Sequence, residues 1–286
     1  MEKKYFFEFA RLDICDLPVW SGNEAVQGRV FGSCPAADVF LCAECTSSFD
    51  VAWFMAQNYD FAWWDSVLAL TQTAGRGQMR RGWFSPPCNL HVAFRLPDAG
   101  FFKSAAASVL TALLFIKAFE SFGLRLKLKW PNDLVLDNGV IYGKLGGILL
   151  EERSGVSLAG VGINRCKVPE SDLLREGSAL RPVMLPAGFA GSSPLDLWIK
   201  LVPCLNLIYG KIFVESTEAL LLSEAERYLL WRGMRVQVFD SNGDNSPVSG
   251  YLSGLTAKGG LRLFPLSSSS SLGKREMEIY SGSVSI

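Results

Sequence analysis

The stretch 124–151, LRLKLKWPNDLVLDNGVIYGKLGGILLE, constrains the fold more than any other part of the chain. Leu124, Leu126 and Leu128 alternate with Arg125, Lys127 and Lys129, the period-two pattern of a half-buried strand. Pro131 has no N–H to give a ladder, so that strand stops near Trp130. Asn138-Gly139 is a type I′ hairpin signal between strands at 134–136 and 140–142. Lys144 follows among Gly143, Gly146 and Gly147, and then comes the apolar run Ile148–Leu150.

Lys144 has two readings. As a strand-end residue it snorkels to water. As a functional residue it meets a carboxylate or phosphate, because glycines admit a ligand to the backbone and an ammonium among apolar strands needs an anion.

Other segments carry the same ambiguity. Residues 71–86, TQTAGRGQMRRGWFSP, form no P-loop, since no Gly-Lys-Ser/Thr follows. Arg76, Arg80 and Arg81 either make a solvated basic loop or close around a phosphate. Trp83 either stacks on a planar base or anchors the core. Ser47 and Asp50 fit a capping box that opens a helix through about Gln57. Its N-terminus either is merely capped or offers unpaired N–H groups and the Ser47 and Ser48 hydroxyls to a small polar ligand. The run VSLAGVGIN at 156–164 is β-like, with Gly160 and Gly162 admitting close backbone approach.

Length and composition bound the alternatives. The chain has 286 residues, enough for about two domains, with 49% hydrophobic and 20% charged residues, as in a soluble globular protein. Formal net charge is zero, so the overall balance argues for neither nucleic acid nor an anionic membrane. The opening residues do not read as a signal peptide, and no apolar run approaches the ~18–20 residues of a membrane span. Seven scattered cysteines read as reduced thiols; the C-x-x-C at Cys42 and Cys45 lacks a second pair. His91 is the one histidine, which excludes a multi-histidine metal centre and weakens a Ser-His-Asp triad. Within the strand expected at 89–96 it reads as a sheet residue.

Residues 1–40 hold candidate strands at 5–9 and 27–31 and no helix-turn-helix pattern. Residues 104–122 are the clearest helix, capped by Ser104, ended by Gly123, with an apolar stripe of Val109, Leu113, Ile116 and Phe119. Residues 173–203 are loop-rich, and helices are expected at 195–213 and 218–230. From Met234 several short strands suggest a small barrel. The organisation expected is an extension of unclear role at 1–40, a catalytic domain at 41–231 and a barrel at 232–286.

Lys129-Trp130-Pro131-Asn132-Asp133, followed by Lys144-Leu145-Gly146-Gly147-Ile148-Leu149, resembles the KWPND…K-L-x-G-I-L signature of biotin protein ligases, with a longer hairpin between the halves. The glycine–arginine loop resembles that family's adenylate loop, with Gln78 where an arginine is usual. The segment from Ser47 resembles its S-T-x-D-x-A motif, with Ser48 in place of threonine; a register using Cys45 and Thr46 stays open. Gly160–Asn164 resembles its G-x-G-I-N strand. The resemblance implies an α+β fold, with a central mixed sheet flanked by helices and an SH3-like barrel at the C-terminus. It implies a monofunctional, cytoplasmic ligase, monomeric or homodimeric, without DNA or membrane partners. Biotin and MgATP would give biotinyl-5′-AMP, and a lysine of a biotin carboxyl carrier domain would take the biotinyl group.

Carried onto this chain, the resemblance assigns catalysis to Lys144, Arg76 and Asp133. It assigns biotin to Ser47, Ser48, Gln72, Gly75, Arg76, Lys144, Gly147, Gly160 and Gly162. Nucleotide contacts fall to Arg76, Gln78, Arg80, Arg81, Trp83, Asn132, Lys144 and Asn164. Mg²⁺ arrives with ATP near Asn132, with no protein ligand assigned. A lipoate or octanoate ligase of the same fold and a non-enzymatic biotinyl-AMP binder are the alternatives.

Overall fold

The computed structural model describes residues 29–30, 37–78, 81–170, 180–189, 193–239, 247–266 and 276–286. The expected strand at 5–9, part of that at 27–31, and Arg80 lie outside them. In chain order the elements are β1 (Arg29–Val30), β2 (Val39–Cys45), α1 (Ser48–Asn58), β3 (Ser66–Gln72) and β4 (Leu90–Arg95). Then come α2 (Ala107–Ser121), β5 (Leu126–Lys129), β6 (Asp133–Asp137), β7 (Tyr142–Arg153) and β8 (Val156–Ile163). Helices α3 (Pro194–Ile208) and α4 (Glu218–Tyr228) lead to β9 (Arg235–Phe239), β10 (Val248–Leu255), β11 (Leu261–Pro265), β12 (Met277–Ile279) and β13 (Ser283–Ser285).

Eight strands form one mixed sheet in the order β1-β2-β3-β4-β8-β7-β6-β5. Only β2 and β3 run parallel, with α1 as their crossover. The two faces are treated differently. Leu68, Val92, Phe94, Val161 and Ile163 pack in one core cluster with α2, α3 and α4. On the other face Val67, Ala69 and Ala93 pack under Phe49, Val51 and Met55 of α1. Strand β2 is covered on both faces, which is why it reads as an unbroken apolar run. Helix α1 covers β3, β4 and β8, with Trp53 reaching Glu151 on β7, and the rest of that face of the sheet holds the site.

Helix α2 corrects the single-stripe expectation: Leu110, Ala112, Leu114 and Phe115 are buried as fully as the stripe, because α3 and α4 cover its back. Ser104 is not its N-cap; that position is Ala106, and the Ser104 hydroxyl accepts from the Ala106 N–H in the preceding turn. Gly123, at φ +84°, ends the helix as expected.

The type I′ turn is also displaced. The register pairs Asp137 with Tyr142, so residues 138–141 make a four-residue loop. Gly139 alone of the pair has positive φ, while Asn138 Oδ1 accepts from the Val140 and Ile141 N–H groups. The two-residue turn with both φ positive is Ser154-Gly155, at +49° and +81°, between paired Arg153 and Val156.

The last strands form a five-stranded antiparallel sheet, order β12-β11-β10-β9-β13, which fits the expected SH3-like barrel. Val236, Leu252, Leu261 and Val284 join the main core cluster. The Trp130 indole donates to Gly259 O (2.8 Å), and Glu226 on α4 accepts from the Leu255 N–H (2.8 Å) and pairs with Arg232 (2.7 Å).

Candidate active site

One row of cross-strand neighbours floors the site. His91 on β4 stands opposite Gly162 on β8, Gly162 opposite Gly147 on β7, Gly147 opposite Asp133 on β6, and Asp133 opposite Lys129 on β5. At ~4.8 Å per strand the row spans roughly 19 Å. The two central glycines leave the backbone bare, and a cavity of about 550 Å³ lies over them.

Lys144 and Gly147 are three residues apart, so in a regular strand they would face opposite ways. A bulge lets them share the cavity. The β6–β7 register shifts so that Leu134 pairs with Gly146 and Val135 with Lys144, leaving Leu145 extra and buried in the opposite core. Lys144 Nζ then reaches Asp133 Oδ1 at 2.6 Å and lies 5.6 Å from the centre of the Trp83 ring. Lys129 Nζ holds the other oxygen of Asp133 at 3.3 Å. Burial pushes the Asp133 carboxyl pKa up, but the two ammoniums, Lys144 first, outweigh it and hold the group below the ordinary carboxylate value.

The glycine–arginine segment is a short hairpin in which Arg76 bridges Gly82 and Gly77 N–H donates to Arg81 O. Trp83 returns over the floor: a Cβ on Gly162 would lie 2.3 Å from its ring. Its Nε1–H is buried without a partner among the described residues. Arg76 is already committed, pairing with Asp50 (2.7 Å) and Glu151 (3.3 Å). Glu151 also accepts from the Trp53 indole (2.7 Å).

At the start of α1, Ser47 is the N-cap, its hydroxyl accepting from the Phe49 N–H. Asp50 does not complete a capping box; it takes Thr46 Oγ1 and Arg76 instead. Nor are the first N–H groups left for a ligand: Gln72 Oε1 accepts from the Ser48 N–H (2.8 Å) and Gln72 Nε2 donates to Ser85 Oγ (2.9 Å). The amides of Asn132 and Asn164 donate to Ile148 O and Lys144 O, tying down β7 on both sides.

Ser47, Ser48, Gln72, Arg76, Gln78, Arg81, Trp83, Asn132, Asp133, Lys144, Gly147, Gly160, Gly162 and Asn164 all line the cavity. Gly75 does not. It lies beneath the loop, where a Cβ would meet Ser85 Oγ at 2.7 Å, so its smallness serves loop packing. Sequence reasoning missed His91 as a wall of the cavity, Asp50 and Glu151 as partners of Arg76, and Gly282 and Ser283 at the rim. The reading of all cysteines as reduced thiols is corrected at Cys88 and Cys166, which form a disulfide joining the segments before β4 and after β8. Cys42 and Cys45 are free and buried, and burial pushes the Cys42 thiol up to about 12.

Among the described residues no helix is long and apolar enough to cross a membrane. Residues 64–165 match the model of the biotin/lipoate A/B protein ligase family. A biotin--[acetyl-CoA-carboxylase] ligase of Paracoccus denitrificans is 35% identical over 124 residues, 39% of this chain and 49% of that protein. One from Mycobacterium tuberculosis is 37% identical over 113 residues, 36% of this chain and 40% of its own length. The chain thus spans half or less of these curated relatives. The solved biotin protein ligase from Aquifex aeolicus in complex with biotin and ATP aligns with a TM-score of 0.65 at 23% identity, covering 86% of this chain and 97% of that one. At that identity the likeness is one of fold. Over residues 64–165 the chain therefore matches the model of the biotin/lipoate A/B protein ligase family, and its fold is that of the solved Aquifex aeolicus biotin protein ligase.

Proposed function

We propose that this chain is a biotin protein ligase acting in the cytoplasm, with catalysis in residues 41–231 and the barrel of residues 232–286 completing the rim. The observation that carries the reading is the Lys144 ammonium, brought by a bulge onto a bare glycine floor beside a fixed carboxylate. The biotin carboxylate would attack the α-phosphorus of MgATP while the bond to the bridging oxygen breaks and pyrophosphate leaves. Both reactants are anions, so the site must neutralise charge as well as align. Lys144 supplies that charge by exchanging Asp133 for substrate oxygens. In the second step a neutral carrier lysine attacks the acyl carbon, AMP leaves and one proton is released.

Asp133, whose carboxyl the two lysines hold below its ordinary value, aims Lys144 until substrate oxygens take its place. Mg²⁺ would enter as part of the nucleotide substrate, near Asn132. The matched family model also covers lipoate ligases, which makes a lipoate or octanoate ligase the second reading. Incubation with ATP, Mg²⁺, biotin and a carrier domain should add one biotinyl mass to a carrier lysine. Transfer of lipoate or octanoate in place of biotin would establish the second reading, and biotinyl-AMP binding without transfer a non-enzymatic binder.

A further inference from the structure

His91 ends the row that floors the cavity, and the chemistry above does not use it. It is 1% exposed. Pro86 O lies 3.2 Å from Nε2, and a carbonyl only accepts, so Nε2 carries the ring proton. Burial pushes the ring pKa down to about 4, which leaves the imidazole neutral near pH 7. Nδ1 is then a bare lone pair, buried and without a partner among the described residues. A buried acceptor is ordinarily satisfied, so this one points to a group the ligand-free chain does not supply. The Trp83 Nε1–H is a second orphan at the same place: it would lie 2.4 Å from a Cβ on Gly162, the cross-strand partner of His91. A buried donor thus lies over the glycine that stands opposite His91 on the β4–β8 ladder.

We propose that His91 Nδ1 accepts a hydrogen bond from an N–H or O–H of the bound substrate and so fixes where that substrate sits on the glycine floor. The inference rests on the ligase reading. The reacting carboxylate has no hydrogen to give at neutral pH, so the donor comes from elsewhere on the substrates. A bicyclic urea N–H and a nucleotide ribose hydroxyl or amino group share the required chemistry. A substrate analogue lacking the donor would leave Nδ1 unpaired and would be rejected for that reason.

Because the chain has one histidine, ¹⁵N-histidine labelling reports this ring alone. Titration of the whole chain with biotin, and separately with AMP, should move the Nδ1 resonance upfield with one of the two, which names the source of the donor. His91→Phe should raise KM for that substrate about tenfold, the worth of one lost hydrogen bond, with kcat within about twofold. His91→Asn, whose amide oxygen replaces the Nδ1 acceptor, should restore most of it. An Nδ1 resonance unmoved by both bound ligands overturns the inference, as do unchanged KM values in folded His91→Phe. Should His91→Phe not fold, the wild-type titration decides alone. Absence of biotin-dependent ATP–pyrophosphate exchange in the wild-type chain would instead overturn the ligase reading beneath it.

Discussion

Two glycines on β8, Gly160 and Gly162, each lie under an aromatic ring, and the rings differ in kind. Above Gly160 sits Phe49, 3% exposed, carried on a packed helix and touching the site of a missing Cβ at 2.2 Å. Above Gly162 sits Trp83, carried on a hairpin loop, with its N–H unsatisfied and open cavity beside it. Both glycines thus line the cavity, one under a ring that belongs to the core around α1 and one under a ring whose N–H has no partner among the described residues. What distinguishes them is how firmly the covering element is held.

Four outcomes would sharpen or break that distinction. The largest is on the floor itself: Lys144→Ala should slow adenylation by about 10²–10³, or ~3–4 kcal/mol, by analogy with lost oxyanion donors, in rapid-quench kinetics. An unaltered rate would remove Lys144 from the chemistry. Next is the wall. His91 must take up a proton on unfolding below its ordinary pKa of ~6.5, whereas its folded pKa is about 4. Its folded-state value is depressed, so stability is full above pH ~6.5 and falls as pH drops towards 4, by on the order of 3 kcal/mol. Urea midpoints of the wild type and His91→Asn should therefore converge across that window; parallel curves would mean that the ring is not buried neutral.

The third outcome sets the glycines against each other. Gly160→Ala forces aside Phe49, a member of the core cluster around α1, and should cost about 1–3 kcal/mol in urea unfolding. Gly162→Ala should cost less stability, because the Trp83 loop can yield, and should raise the KM for biotin. Equal destabilisation would make Trp83 a packing residue like Phe49. The smallest effect concerns the hairpin: Gln78→Arg should slow release of the acyl-adenylate several-fold in a filter-binding chase. Equal release rates would remove any role for the missing charge.

Much of this was legible in the sequence because it depends on local pattern. Alternation at 124–129, the proline at 131, the glycines around Lys144 and Gly160-x-Gly162 describe strands with a bare patch before any contact is known. The bulge at Leu145 was not legible. Lys144 and Gly147 can share a face only if β6 and β7 slip register, and that is a property of two strands together. Arg76 reads as a free anion binder until Asp50 and Glu151, distant in the chain, are seen to hold it. His91 reads correctly as a sheet residue; that its Nδ1 lacks a partner among the described residues follows only from the fold. The type I′ signal at Asn138-Gly139 lost to Ser154-Gly155 because the strands flanking it pair four residues apart.

Gly282, just before β13, and Ser283, its first residue, line a cavity otherwise built from the larger sheet, the start of α1 and the loops beside them. The Trp130 indole, next to the turn at Pro131-Asn132, donates to the carbonyl of Gly259. A shortened fragment ending before β9 would therefore lack part of its rim and leave an indole N–H at its base without an acceptor. The smaller sheet is masonry of the chamber, and no fragment that omits it would enclose the whole cavity.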